Sequence, residues 1–391
     1  MLFLLSHPAS PFIMGFDNYI LDLETLNLAR LATNLESSRS HSEDHKGVGM
    51  KPILIRTCLF APLAISGLWL FGLGLAAAKV NKKEQARALL DRAKELSNIR
   101  ATGSPGFRMK VKLRLLQKNG IFMEGSYLLI WATPQKWREE ISFPGYNEIL
   151  VATQDGTWSV NNQEYRPYVV SRLINSLRVG LGWPKDSKDK IAKVREIEID
   201  GIRMTCAELN PEQQPKNEYC ADSLTGTLIR DTDGYSQIVY KYGDNGSLGD
   251  RKFPRTILIF QGDVLMADGR VEELTLEPNP EPELFTAPSG ENVRFQPNCE
   301  GKKIVTARLI LHPNPRYPAN ALHNRVSGIV RLYAVIGTDG RPHALTVVNS
   351  AGPELDAAAL DVVHTWRYQP TTCDGIPVDV ETLIVVNFSL Q

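Results

Sequence analysis

The chain has 391 residues, enough for two ordinary domains with additional segments. Lysine plus arginine, 44, equals aspartate plus glutamate, 44, so no charge excess points to a nucleic acid or another polyanion as partner. Hydrophobic residues at 43% and charged residues at 23% give the balance of a soluble globular protein, which one segment departs from.

Residues 1–49 mix an apolar opening with the polar run SSRSHSEDHKG, and no periodic pattern persists. They read as a disordered or mis-assigned extension, with Met50 as the expected initiator, and the Leu2 to Leu5 run is too short for a membrane span. Residues 50–79 read as a signal anchor or signal peptide. Thr57 to Ala78, TCLFAPLAISGLWLFGLGLAAA, carries no charge and is long enough to cross a hydrocarbon core of roughly 30 Å. Lys51 and Arg56 precede it, and Ala76-Ala77-Ala78 suits cleavage. Basic residues on its N-terminal side keep that end in the cytoplasm. Everything after Lys79 is therefore expected to be exported, either tethered to the inner membrane or released.

Residues 80–276 read as a helix followed by an antiparallel sheet. Asn81 to Leu96 places Ala86, Leu89, Leu90, Ala93 and Leu96 on one helical face. Phe107 to Leu115 alternates fully, with Phe107, Met109, Val111, Leu113 and Leu115 on one face and Arg108, Lys110, Lys112 and Arg114 on the other. The basic row reads as a solvated face, with binding of an anionic surface as the alternative. Asp-Gly steps at 155–156, 200–201, 233–234 and 268–269 punctuate runs rich in Ile, Val, Leu, Thr and Tyr, as hairpin turns do. Tyr168 to Val179 interrupts them as a helix with Val169, Val170, Leu173, Ile174 and Leu177 on one face. A long antiparallel sheet of this kind is able to curl into a half-barrel. Residues 277–302 form a connector that opens with the proline-rich EPNPEPE, a semi-rigid stretch with a reach of about 20 Å.

Five cysteines suit an oxidising compartment. Cys58 lies in the apolar segment and lacks the small residues that precede a lipoprotein cysteine. The other four, Cys206, Cys220, Cys299 and Cys373, allow three pairings. Cys206 and Cys220 are close in sequence on apparent neighbouring strands, which favours a local bridge. Cys299 and Cys373 would then tie the start of the C-terminal domain to a helix-strand loop; four free buried thiols are the alternative. No Cys/His cluster suggests a metal, and no phosphate loop, dinucleotide fingerprint, HExxH or nucleophile elbow suggests a cofactor or an enzyme. Adjacent carboxylates at Glu139-Glu140 and Glu272-Glu273 point to opposite strand faces and cannot act as an acid/base pair.

Residues 303–391 hold a strand-strand-helix-strand unit. Val330, Leu332, Ala334 and Ile336 alternate with Ile329, Arg331, Tyr333 and Val335, and Asp339-Gly340 supplies the turn before Leu345, Val347 and Val348. Pro353, Glu354 and Asp356 start a helix whose face carries Leu355, Ala359, Val363 and Trp366, and Thr382 to Leu390 forms the closing strand. The chain is thus expected to be α+β, an antiparallel β-rich domain followed by a small β-β-α-β module with one sheet face under its helix.

The order Tyr317-Pro318, Ala321, Gly328, Asp339-Gly340, Ser350, LDAAAL at 355–360, Trp366, Tyr368, Pro370, Gly375, Pro377-Val378 and Phe388 resembles the C-terminal domain of TonB-family energy transducers. The resemblance implies docking to an outer-membrane receptor or transporter by strand pairing, with Val385, Val386, Asn387, Phe388 and Ser389 as the partner-binding positions. It also implies coupling to an ExbB/ExbD-like motor. Two departures bear on that coupling: the apolar segment has no histidine, and a folded domain replaces the family's long Pro-rich spacer. Gly125-Ser126-Tyr127, Trp131, Pro134, Trp137-Arg138, Asp155-Gly156 with Trp158, Leu274 and Phe285 resemble periplasmic lipoprotein carriers of the LolA and LppX kind. That implies a concave face sheltering lipid, lined by Trp131, Trp137 and Trp158. An envelope adaptor and a lipid carrier with a docking module are therefore the competing readings, with a purely structural envelope protein as a third.

Overall fold

The computed structural model describes residues 81–117, 119–179, 183, 191–209, 217–232, 236–243, 246–290 and 292–390. The extension 1–49, the apolar segment with Cys58, and Asp233-Gly234 lie outside the described residues. Among the described residues no helix is long and apolar enough to cross a membrane.

Helix α1 (Lys82–Ser97) starts where Asn81 Oδ1 accepts the Lys83 N–H at 3.1 Å, and it buries Ala86, Leu90, Ala93 and Ser97 at helical spacing. The strands that follow are β1 (Phe107–Leu116), β2 (Phe122–Thr133), β3 (Lys136–Phe143), β4 (Tyr146–Ala152) and β5 (Gly156–Asn161). Helix α2 (Tyr168–Ser176) intervenes before β6 (Ile191–Ile199), β7 (Ile202–Leu209), β8 (Asn217–Asp222), β9 (Leu228–Thr232) and β10 (Ser236–Lys241). A two-strand ribbon, β11 (Ser247–Leu248) and β12 (Arg251–Lys252), precedes β13 (Thr256–Gln261), β14 (Val264–Leu276) and β15 (Val293–Pro297).

Thirteen of these strands make one antiparallel sheet in the order β15-β5-β4-β3-β2-β1-β14-β13-β10-β9-β8-β7-β6. Its two edge strands, β15 and β6, do not pair, so the sheet is open and forms no closed barrel. The apolar face of β1 is buried as its alternation requires. Each base on the other face meets an acid: Arg108 meets Glu277, Lys110 Glu273, Lys112 Glu124 and Arg114 Asp268, all within 2.8 Å. The basic row is therefore neutralised by this sheet's own carboxylates and offers no free cationic surface.

Asp200-Gly201 turns the β6–β7 hairpin with both residues at positive φ. Asp268-Gly269 does not make a turn. It lies inside β14, opposite Arg114 and Leu113, and the hairpin turns at Gly262-Asp263. Gly269 is there for space, because a Cβ would meet Val111 Cγ1 at 3.3 Å and Leu113 Cδ2 at 3.4 Å, with Leu177 Cδ2 just beyond. The proline-rich stretch also packs. Glu277 pairs with Arg108, Phe285 is buried with Ile130 and Val151, and β15 joins the sheet beside β5.

The C-terminal part comprises β16 (Ile304–Val305), β17 (Arg308–Leu311), α3 (Ala319–His323), β18 (Gly328–Ile336), β19 (Pro342–Asn349), α4 (Pro353–Val363), β20 (Arg367–Gln369), β21 (Thr371–Cys373), β22 (Ile376–Val378) and β23 (Val380–Phe388). Strands β19-β18-β23 form the main sheet, and its α4 face buries Val330, Leu332, Ala334, Ile336, Ile384, Val386 and Phe388. The opposite face is also covered in its lower half: Tyr333, Val335, Val348 and Leu383 join the core of the large sheet. Helix α2 is the element between them, buried on nearly every side. Tyr168 packs on Tyr333 with ring centroids 4.8 Å apart, and Ser171 Oγ donates to Glu381 Oε1 at 3.0 Å. Both expected disulfides form, Cys206–Cys220 and Cys299–Cys373.

Candidate functional site

Strand β23 is an edge. It pairs with β18 along its length, and among the described residues the three-stranded order β19-β18-β23 places no strand on its other side. Its side chains divide by parity. Val386 and Phe388 are buried beneath α4, where the Phe388 ring meets Tyr317 edge-on at 5.6 Å. Val385 is 41% exposed, and Asn387 and Ser389 are exposed as well. The lower end is fixed differently, with Glu381 bonded to Ser171 and Leu383 packed into the large core. Upward from Val385 the outer sheet face is open, and Ile329, opposite Asn387, stands 39% exposed. Four of the five expected partner-binding residues thus share one strand, and Ser389 follows it directly.

The three tryptophans do not share a face. Trp131 and Trp137 are directly opposed across β2 and β3 on the inner side, and both line a cavity of about 290 Å³. Trp158 pairs with Val151, which pairs with Arg138, on the outer side, and its ring lies 4.6 Å from Phe295 of β15. The register of β4 and β5 therefore turns it away from the other two.

The inner face is also less apolar than a lipid shelter would be. Glu139 is fully buried at the inward parity of β3, between Trp137 and Ile141. Arg100 Nη1 donates to its Oε1 at 2.7 Å, Arg178 Nη2 lies 3.7 Å from the same oxygen, and Arg100 Nη2 donates to the Tyr127 hydroxyl. Burial alone would raise the Glu139 carboxyl, but the guanidinium charges of Arg100, Arg178 and Arg166 overcome it and hold the group at about 2. A second buried ion pair, Arg166 with Glu148 at 2.6 Å, sits beside the Tyr146 hydroxyl, which donates to Glu148. Glu140, the neighbour of Glu139, faces the other side and pairs with Arg138, so the two carboxylates are separated by the sheet. Sequence patterning missed this network. Its one readable trace is a carboxylate at the apolar parity of the KWREEISF strand.

Cys206, Cys220 and Glu218 approach within 4.8 Å of one another, but the disulfide uses both sulfurs and Arg195 and Arg230 hold the carboxylate.

Residues 313–390 match the family described as Gram-negative bacterial TonB protein C-terminal. Protein TonB of Vibrio cholerae serotype O1 is 29% identical over 115 residues, which are 29% of this chain and 46% of that protein. The chain thus spans about half the length of this curated relative. Similar solved structures include a LolA superfamily protein from Nitrosomonas europaea, 13% identical with a TM-score of 0.33, covering 51% of this chain and 97% of that one. A Vibrio parahaemolyticus domain described as outer membrane lipoprotein-sorting is 11% identical with a TM-score of 0.34, over 51% of this chain and 97% of that one. The C-terminal resemblance read from the residues is thereby met, and the central one recurs among solved structures at low structural similarity.

Proposed function

We propose that this chain, with a TonB-type domain at residues 313–390, is an envelope adaptor that docks an outer-membrane receptor or transporter by adding a strand of the partner to β23. The observation that carries this reading is the free edge of β23, where buried Val386 and Phe388 fix the strand while Val385, Asn387 and Ser389 face outward. An unpaired row of backbone donors and acceptors is a template for an extended segment, with affinity from main-chain bonds and selectivity from the exposed side chains. The apolar segment 57–78 would tether the adaptor to the inner membrane, leaving residues 81–391 in the periplasm. An ExbB/ExbD-like motor is a further proposed partner; the segment's lack of histidine makes that link the one that most needs its own test. The buried ion pairs on the inner sheet face favour the adaptor over an acyl-chain carrier, because hydrocarbon laid against ionised groups would leave them without solvation.

Site-specific photocrosslinking in the full chain tests the docking. A crosslinker at Val385 is expected to capture an outer-membrane barrel protein, and one at Leu224, 92% exposed on the large sheet domain, is not. Val385→Lys places a charge on the edge and should weaken that crosslink at least tenfold while leaving the thermal midpoint unchanged. Equal capture from both positions, or an undiminished crosslink in the lysine variant, would contradict docking at β23.

A further inference from the structure

Residues 304–311, IVTARLIL, run as β16 and β17 antiparallel to β21 and β20, and among the described residues no strand pairs with their other edge. Ala307 and Leu309 turn inward and pack on the core beneath α4. Ile304, Val305, Ile310 and Leu311 do not, and are 44–63% exposed. A lone apolar residue at a surface is ordinary. Here four share one short edge, and exposed Ile376 continues them, in line with Ile304 across β21 and β22, so they form a patch. An edge ladder beside such a patch is a template for another strand.

The charge along this edge has one sign. From Cys299 to Arg316 the bases are Lys302, Lys303, Arg308 and Arg316, all exposed, and the sole acid is Glu300. None of the four basic side chains has an ion-pair partner among the described residues. Asp374, at the β21–β22 turn, accepts the Lys303 backbone N–H at 3.0 Å instead. The basic row of β1 is the contrast, since each of its bases meets an acid of its own sheet. A second copy is a poor occupant of the β16–β17 edge. Pairing the strand with itself sets bases against bases with no acid to answer them, and the bulge at Ile310 interrupts the ladder.

We propose that the β16–β17 edge takes an extended acidic segment of another protein as an added strand. Main-chain bonds supply the affinity, and Ile304, Val305 and Ile310 pack on β-branched side chains of the segment. Lys303 and Arg308 select it through carboxylates at matching spacing. Such exposed ion pairs add little affinity each, but they exclude a basic segment, which like charges repel. The edge belongs to a different strand from β23, and the proposal stands whether or not docking occurs there.

Fluorescence anisotropy of labelled synthetic peptides with the full chain tests this. The probes are VTEVTVTEV, whose glutamates are spaced as Lys303 and Arg308 are, VTKVTVTKV with the charges reversed, and GSEGSGSEG with the same charge but no strand preference. The first should bind about tenfold more tightly than either control and weaken as salt is raised. Arg308→Glu should cut its affinity about tenfold and favour the lysine peptide, with the thermal midpoint unchanged, because that side chain is exposed and carries no ion pair. Val385→Lys, on β23, should leave the affinity unchanged. Equal binding of the glycine peptide would mean charge attraction without strand pairing. Loss of binding in the Val385→Lys chain would put the peptide at β23, and dimers of the free chain that the peptide dissociates would make a second copy the occupant. Each of these overturns the proposal, as does no binding of VTEVTVTEV at millimolar concentration.

Discussion

Glu139 decides how the inner face of the large sheet tolerates charge. It is fully buried, and Arg100 and Arg178 are there to meet it. Removing its charge takes from the buried Arg100 guanidinium the carboxylate it bonds at 2.7 Å, which costs more than an ordinary surface ion pair returns. Glu139→Gln should therefore lose about 3 kcal/mol at pH 7 in urea denaturation. The pH dependence has a definite sign. The folded carboxyl titrates at about 2, below its unfolded value, so its contribution is complete above the unfolded range and fades as pH falls through about 2. The gap between wild type and Glu139→Gln should be full at pH 7 and narrow progressively below pH 4. A gap that stays constant over that range would show that the carboxylate charge is not what stabilises the fold.

At the scale of elements, β23 buries one parity beneath α4 and exposes the other from Val385 upward, and substitutions on the two parities should separate. Phe388→Ala empties a site beneath α4 beside Tyr317 and should cost about 3 kcal/mol, whereas Val385→Ala, half exposed, should stay within about 0.5 kcal/mol. Chemical denaturation of the two variants checks the difference. The same parity explains what the residues disclose in advance. The alternation of β1 and of β18, the turn at Asp339-Gly340 and the face of α2 are local patterns, and they are found where the spacing places them. Asp268-Gly269 reads as a turn because Asp-Gly usually is one, but here the aspartate answers Arg114 across the ladder and the glycine makes room beneath Leu177. Tyr333 and Val335 look like the outer side of a small module, since nothing local indicates that a second sheet and α2 lie against them. Trp131, Trp137 and Trp158 separate for a related reason: their faces are set by the β4–β5 register, which a spacing of tryptophans does not determine.

For the molecule over residues 81–390, the TonB-like sheet and the large sheet share a core and a bonded pair at Ser171 and Glu381, and a covalent bridge ties the stretch after β15 to β21. The bridges differ in what they close. Cys299–Cys373 joins residues 74 apart, whereas Cys206–Cys220 joins residues 14 apart on one hairpin. Loop entropy then predicts that the Cys299→Ser/Cys373→Ser variant loses about 4 kcal/mol and Cys206→Ser/Cys220→Ser about 3 kcal/mol. Thermal unfolding under oxidising conditions should rank them in that order. The longer bridge also sets how a load would travel. A pull applied at Phe388 would draw on the backbone only back to Cys373; there the tension would cross to Cys299, and the residues between the two cysteines would be shielded from it. Unravelling could yield about 50 Å of slack at roughly 3.4 Å per residue before the bridge goes taut, where a reduced chain would go on lengthening through the whole module. Oxidised, the C-terminal module behaves as a short, stiff hook; reduced, it becomes a spring.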